Sequence, residues 1–225
     1  MSDDTPPTSG RKEKEGKLAP KVLREQRSVT ARSGSRAGRI YARLRLLDMM
    51  KINTANPRMA RRDAKSFLFV CFGNIMRSAM AEALMHRALS ELKVNDANIH
   101  IMSAGLHATP GRETHPWALQ AAGELGVALH DHRARLLTME MIEQADCILA
   151  MDFQNQAEIL ALYPAAKEKI CMMSAYAEGP WKNREIPDPY LTDENGTRYC
   201  ARQLQVCVEN LVRSTLLSSS TDPPK

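Results

Sequence analysis

The sequence predicts an α/β fold, a four-stranded parallel sheet with helices on both faces, doubly wound. Three observations predict it. From Ser66 onward short continuous apolar runs recur, each of the kind produced by a strand buried on both faces. Each run is followed by a stretch with helical periodicity, and such alternation builds right-handed βαβ units. The helical stretches also carry start and stop signals, a proline in the first turn or a glycine or proline past the end.

The first strand reads Ser66-Phe67-Leu68-Phe69-Val70-Cys71. A turn containing Gly73-Asn74 follows, then a helix over residues 77–92 with Met80, Ala83, Leu84, Ala88 and Leu92 on one face. Residues 98–102 read as the second strand. Residues 116–125 suit a helix with Pro116 in its first turn and Gly126 past its end. The third strand is expected over residues 146–151 and a helix over 152–162, stopped by Pro164. Residues 169–173 supply the fourth strand. After a Pro- and Gly-bearing loop over 176–193, a last helix runs over 194–216. The sequence shows no internal repeat.

Composition bounds the classes. With 44% hydrophobic and 25% charged residues over 225, the chain is neither collagen-like nor wholly disordered. No apolar run approaches the roughly 18 to 20 residues of a membrane span, and the start lacks the layout of a secretory signal. Cys71, Cys147, Cys171, Cys200 and Cys207 are odd in number and unpaired in CxxC motifs, so neither a disulfide framework nor a zinc ribbon is indicated. Reduced thiols and a cytoplasmic location are expected.

Charge divides the chain in two. Residues 1–65 hold 17 Lys and Arg against 7 Asp and Glu, whereas residues 66–225 hold 14 against 19. Residues 1–64 are therefore expected to be a basic extension, disordered to about residue 38 for want of bulky apolar groups. Within it a short basic amphipathic helix over 39–52 is indicated by Ile40, Tyr41, Leu44 and Leu47 among Arg39, Arg43 and Arg45. Such a helix would touch nucleic acid or an anionic membrane. A solvated basic tail is the plainer reading, and a native start at Met59, just before the first strand, is a third. Residues 65–217 form the expected domain and 218–225 a polar tail.

In an open α/β sheet, ligands bind beyond the carboxyl ends of the strands, which puts chemistry after Cys71. The stretch Cys71-Phe72-Gly73-Asn74-Ile75-Met76-Arg77-Ser78 places five residues between a cysteine and an arginine, then a hydroxyl at a helix start. Five residues are enough to curl the backbone into a cradle of inward N–H groups for a tetrahedral dianion, reinforced by the helix N-terminus. The same field stabilises an anion at its centre, which makes Cys71 a capable nucleophile. Arg77 offers a planar fork for two equatorial phosphoryl oxygens, and lysine would be a poor substitute. Gly73 permits backbone angles a side chain would forbid, and Asn74 tolerates a left-handed conformation while bracing the loop. Ser78 would donate to the sulfur. A buried, inert cysteine is the plainer reading of Cys71 alone; the apolar strand, Gly-Asn and the Arg-Ser helix start narrow it.

Val70-Cys71-x-Gly73-Asn74-x-x-Arg77-Ser78-x-Met80-Ala81-Glu82 resembles the signature of the low-molecular-weight protein-tyrosine-phosphatases. The resemblance extends over about residues 66–217, through Ser103-Ala104-Gly105, His132-Arg133-Ala134-Arg135, Ala150-Met151-Asp152 and Ile186-Pro187-Asp188-Pro189-Tyr190. It implies a phosphotyrosine phosphatase I-like fold and metal-independent hydrolysis of tyrosine phosphate on proteins through a phosphocysteine. Cys71 is then the nucleophile, Arg77 the transition-state stabiliser and Asp188 the general acid, with Phe72, Gly73, Asn74, Ile75, Met76 and Ser78 cradling phosphate. Tyr190 walls the ring and His132 supports the loop. No cofactor is implied, and the partner is a tyrosine-phosphorylated protein, a bacterial tyrosine kinase among the candidates.

The sequence departs from the pattern at several places. Met76 stands where many relatives have a second cysteine, Ala79 where most have proline, and Leu191 where many have a second aromatic. Leu106, His107 and Thr109 replace the usual aromatic after Ser103-Ala104-Gly105. Ile75 matches the tyrosine-directed members, whereas relatives acting on phosphoarginine carry threonine there. Two alternatives remain: a thiol-dependent arsenate reductase, whose relay cysteines Cys147, Cys171, Cys200 and Cys207 would be poorly placed, and a phosphate-binding protein without turnover.

Overall fold

The computed structural model of the protein describes residues 10–51, 59–94, 97–182 and 184–217, with side chains from residue 20 onward. The polar tail over 218–225 and the first nine residues lie outside the described residues.

Four parallel strands form one sheet in the order β2-β1-β3-β4: β1 is Ser66–Cys71, β2 is His100–Gly105, β3 is Cys147–Ala150 and β4 is Ile170–Met172. Every residue of β1 is buried, as its unbroken apolar run requires of a central strand. The helices are α1 (Gly10–Met49), α2 (Arg77–Glu91), α3 (Pro116–Glu124), α4 (Met139–Gln144), α5 (Phe153–Leu162) and α6 (Glu194–Val212). One face of the sheet packs Phe67 and Phe69 with Met80 and Leu84 of α2 and Leu204 and Val208 of α6. Leu68, Val70 and Ile148 pack on the other face with Ile142 of α4 and Ile159 of α5. Residue alternation along β1 thus feeds two cores, one on each face. The fourth strand is only three residues long, and β2 runs to Gly105, three residues past the expected end. Helix α4 was not expected; it is two short turns capped by Thr138, whose Oγ1 accepts from Met141 N.

The extension corrects the sequence reading. Gly10–Met49 is helical, interrupted at Ser33 and Gly34, where φ reaches 82° in the glycine. The two arms fold back on each other: Tyr41 donates to Glu25 and accepts from Arg45 Nε at 2.8 Å, while the absent side chain of Gly38 leaves room for Thr30. Fully buried Val29, Ala37 and Tyr41 then pack on Ala157 of α5, with Ile40, Leu44 and Phe153 at the edges. The apolar face expected to meet a membrane is therefore covered by the protein's own α5. Few apolar residues suffice because two ion pairs, Arg32 with Glu158 at 2.7 Å and Arg45 with Glu185 at 2.6 Å, add to the packing. Ile52, the end of the expected short helix, lies outside the described residues. Among the described residues no helix is long and apolar enough to cross a membrane.

Candidate active site

The loop from Cys71 to Arg77 leaves the carboxyl end of β1, an inner strand flanked by β2 and β3, and it forms the floor of a cleft of about 680 Å³. Cys71 Sγ lies 3.0 Å from Ser78 Oγ and accepts from the Asn74 amide at 3.3 Å. Asn74 is wholly buried and adopts φ 52°, the left-handed conformation its type tolerates. Its Nδ2 donates to Ser78 Oγ at 2.9 Å and Ser103 Oγ at 2.8 Å, and its Oδ1 accepts from Arg135 N at 2.7 Å. Its carbonyl oxygen faces His132 Nε2 at 2.8 Å. Ser103 in turn donates to Glu82, which pairs with Arg135 at 2.7 Å. A satisfied buried network of this kind rigidifies what it surrounds.

No side chain caps the N-terminus of α2, which opens from the loop. The steric demand expected at Gly73 falls elsewhere. A Cβ at Gly73 would meet only Ile75, at 3.6 Å, and the residue has no positive φ, so its bareness leaves space in the cleft. At Gly105 a Cβ would lie 2.7 Å from Asn74 N and 2.8 Å from both Gly73 C and Phe72 O, so this glycine lets the loop rest against β2.

Arg77 is 2% exposed. Its Nη1 donates to Asp152 Oδ2 at 2.6 Å and to the Ile186 carbonyl at 3.3 Å, and its Nη2 lies 2.9 Å from Asp188 Oδ2. Burial works against the charge, but Asp152, Asp188 and Cys71 outweigh it and hold the guanidinium firmly ionised. Asp152 has two tasks, since its Oδ1 also caps α5 by accepting from Asn155 N at 2.7 Å. Asp188 accepts from Tyr190 N at 3.3 Å and projects into the cleft from its proline-flanked loop.

Ile75 and Met76 are buried yet line the floor, and Phe72 stacks against His107 with centroids 4.7 Å apart. Tyr190 stands half-exposed at the mouth, its ring edge-on to His115 at 5.7 Å, and Leu191 beside it is 84% exposed. Cys71, Phe72, Gly73, Ile75, Met76, Arg77, Asp188 and Tyr190 thus share one cleft, while Asn74, Ser78 and His132 brace it from behind. Glu82, Ser103 and Arg135 belong to sequence motifs that by themselves give them no role. Arg24 and Arg32, which line the cleft from α1, carried no sequence signal at all. Among the described residues no group of three His, Cys, Asp or Glu side chains is placed to hold a metal ion.

The family model of the low molecular weight phosphotyrosine protein phosphatases matches residues 66–219. The chain belongs to that family. The phosphatase is 34% identical over 147 residues to the low molecular weight protein-tyrosine-phosphatase Etp of Escherichia coli, covering 65% of this chain and 92% of the relative. Among solved structures it resembles the tyrosine phosphatase amsI of Erwinia amylovora, with 30% identity, TM-score 0.60, and coverage of 68% of this chain and 93% of that one. It also resembles the YwlE arginine phosphatase of Geobacillus stearothermophilus, with 27% identity, TM-score 0.62, and coverage of 72% and 99%. Membership makes it an enzyme of phosphoester hydrolysis and its partners phosphoproteins.

Proposed function

We propose that this phosphatase removes phosphate from tyrosine on proteins through a phosphocysteine, without a metal ion. The observation that carries the reading is the single cleft in which Cys71 Sγ, hydrogen-bonded to Ser78 and the Asn74 amide, faces Arg77 and Asp188. Cys71 Sγ forms a bond to phosphorus as the phosphorus–oxygen bond to the phenol breaks. The departing oxygen takes its proton from Asp188. Arg77 and the loop amides hold the three equatorial oxygens, supplying charge a metal would otherwise bring. A water then attacks phosphorus, giving its proton to Asp188, and the sulfur–phosphorus bond breaks. Ser78, 3.0 Å from the sulfur, stabilises the thiolate that leaves. The Asn74 network keeps the cradle open and preorganised, which is where such sites gain most of their rate.

Phosphoarginine is the second reading, because an arginine phosphatase is among the structural relatives. Ile75 favours tyrosine: it presents an apolar side chain to the cleft, suited to a ring rather than a guanidinium. Arsenate reduction would need relay thiols with access to the cleft, and of the five cysteines, all buried, only Cys71 lines it. A bacterial tyrosine kinase is the partner that the resemblance suggests.

Pre-steady-state hydrolysis of an aryl phosphate in EDTA tests the mechanism. A burst of phenol that EDTA leaves intact and Cys71→Ser removes is expected. Turnover that needs added metal, or survives Cys71→Ser, overturns it. Peptides bearing phosphotyrosine or phosphoarginine, assayed side by side, decide the substrate.

A further inference from the structure

One wall of the cleft is built by residues outside the family match, which begins at Ser66. Arg24, Ser28 and Arg32 of α1 line the same cleft as Cys71, Arg77 and Asp188. The wall is anchored through Glu158, a wholly buried carboxylate on α5. Glu158 pairs with Arg32 at 2.7 Å, accepts from Ser33 Oγ at 2.5 Å and meets His107 Nε2 at 2.6 Å. His107 stacks on Phe72, and the Arg32 guanidinium lies over the same ring at 5.3 Å. One buried carboxylate therefore links α1, α5 and the phosphate loop, and it fixes where α1 stands over the floor.

The charges lining the cleft sort into paired and unpaired. Asp152 and Asp188 are engaged by Arg77, Glu25 by Arg45 and Tyr41, and Arg32 by Glu158. Arg24 on α1 and Arg112 on the loop after β2 are exposed, and among the described residues neither has an ion-pair partner. Arg112 already acts on its surroundings: burial pushes the His115 imidazole down, and Arg112 adds to the shift. Two exposed guanidinium groups without an ion-pair partner among the described residues thus line a cleft whose floor is made for phosphate.

We propose that Arg24 and Arg112 form an anion subsite that selects phosphorylated segments carrying a second negative group beside the residue being dephosphorylated. The proposal deepens the phosphatase reading and rests on it. An extended peptide suits the cleft, since the wall of α1 keeps flat folded surfaces from its floor. The anion is either a carboxylate side chain or a second phosphoryl group, and a forked guanidinium accepts both.

The test uses the full-length chain with Cys71→Ser, which binds without turning over, titrated with three phosphotyrosine peptides: glutamate-flanked, glutamine-flanked and doubly phosphorylated. Tighter binding of an anionic peptide than of the glutamine one is expected, weakening as salt is raised. Adding Arg24→Glu and Arg112→Glu should collapse that preference by about tenfold or reverse it. Preference for both anionic peptides identifies charge as the determinant; preference for the doubly phosphorylated one alone identifies phosphate. Equal affinity for all three, a preference that survives charge reversal, or no peptide binding overturns the subsite. Aryl phosphate turnover by the unsubstituted chain is followed in parallel. Its absence would overturn the catalytic reading while leaving charge-dependent peptide binding to stand as support for the subsite.

Discussion

Arg45 on the second arm of α1 lies 2.6 Å from Glu185, three residues before Asp188 on the same proline-flanked loop. Its guanidinium also lies over the rings of Tyr41 and Phe153, at 5.4 and 4.9 Å. Glu185 accepts in turn from Phe153 N at 2.6 Å. The N-terminal hairpin is thereby tied to the start of the Asp188 loop as well as to the phosphate loop.

Removing that tie should make stability depend on pH. Burial raises the Glu185 carboxyl despite Arg45, which works the other way. Arg45→Ala should raise it further and destabilise by on the order of 3 kcal/mol at neutral pH, as when a buried pair loses one member. A carboxyl raised in the fold contributes stability that is complete below its unfolded value, about 4.3, and lost as pH rises through the folded value. The gap between variant and wild type should therefore narrow as pH falls toward 4. Urea midpoints across that range give the answer, and a constant gap would mean that packing on Tyr41 and Phe153 carries the whole effect.

Gly105→Ala should strike catalysis without touching a reacting group. The added methyl meets three backbone atoms of the phosphate loop below 3.0 Å and has no flexible side chain to displace. Overpacking of this sort costs about 1 to 3 kcal/mol. The loop is the movable partner, so kcat for an aryl phosphate should fall much more than thermal stability does. Unimpaired turnover would show that the loop does not need its place against β2.

The two carboxylates on Arg77 should separate by role. Asp188→Asn is expected to lower turnover by roughly 10² to 10⁴, the usual worth of a general acid, while retaining affinity for an oxyanion such as vanadate. Asp152→Asn leaves Arg77 with its Asp188 partner and should instead weaken oxyanion binding, because the arginine loses the charged partner of its Nη1, while the cap of α5 survives, since an asparagine oxygen accepts from Asn155 N as well. Titration of both variants with vanadate beside their kcat values distinguishes the two; identical behaviour would contradict the assignment of the acid.

Alkylation should find one cysteine of five. Burial pushes Cys200 and Cys207 up to about 12, and contact with Cys171, then burial, pushes Cys147 well up. Cys71 alone lines the cleft. Iodoacetate at neutral pH should add a single carboxymethyl group on Cys71, with phosphate protecting it. Peptide mapping that found a second site on the native protein would show the core to be more open than its packing implies.

Much of the site was legible before folding was considered because its parts are close in the chain. Cys71 and Arg77 are joined by a loop too short to place them apart, and strand, turn and helix each leave their own periodicity. Gly73 was misread for the same reason: a glycine in a turn signals backbone freedom, whereas the position that needs bareness is Gly105, paired beside Cys71 on β2. The hydrogen-bond hub at Asn74 was half visible, its type suggesting a left-handed turn but not its bonds to Ser103 and Arg135.

By itself, then, the sequence determined the alternating α/β architecture, the central buried strand and the Cys71-to-Arg77 cradle, since local periodicity and short-range sterics decide these. Only the tertiary structure decided that Asp152 and Asp188 converge on one arginine and that α1 stands over the cleft. Residues up to about 38 looked too polar to order because their few apolar groups bury too little by themselves. Ala157 and Phe153 of α5 supply the missing surface, and Glu158 and Glu185 the missing charge. Partners more than a hundred residues away along the chain leave no periodic trace, so only folding could bring them together.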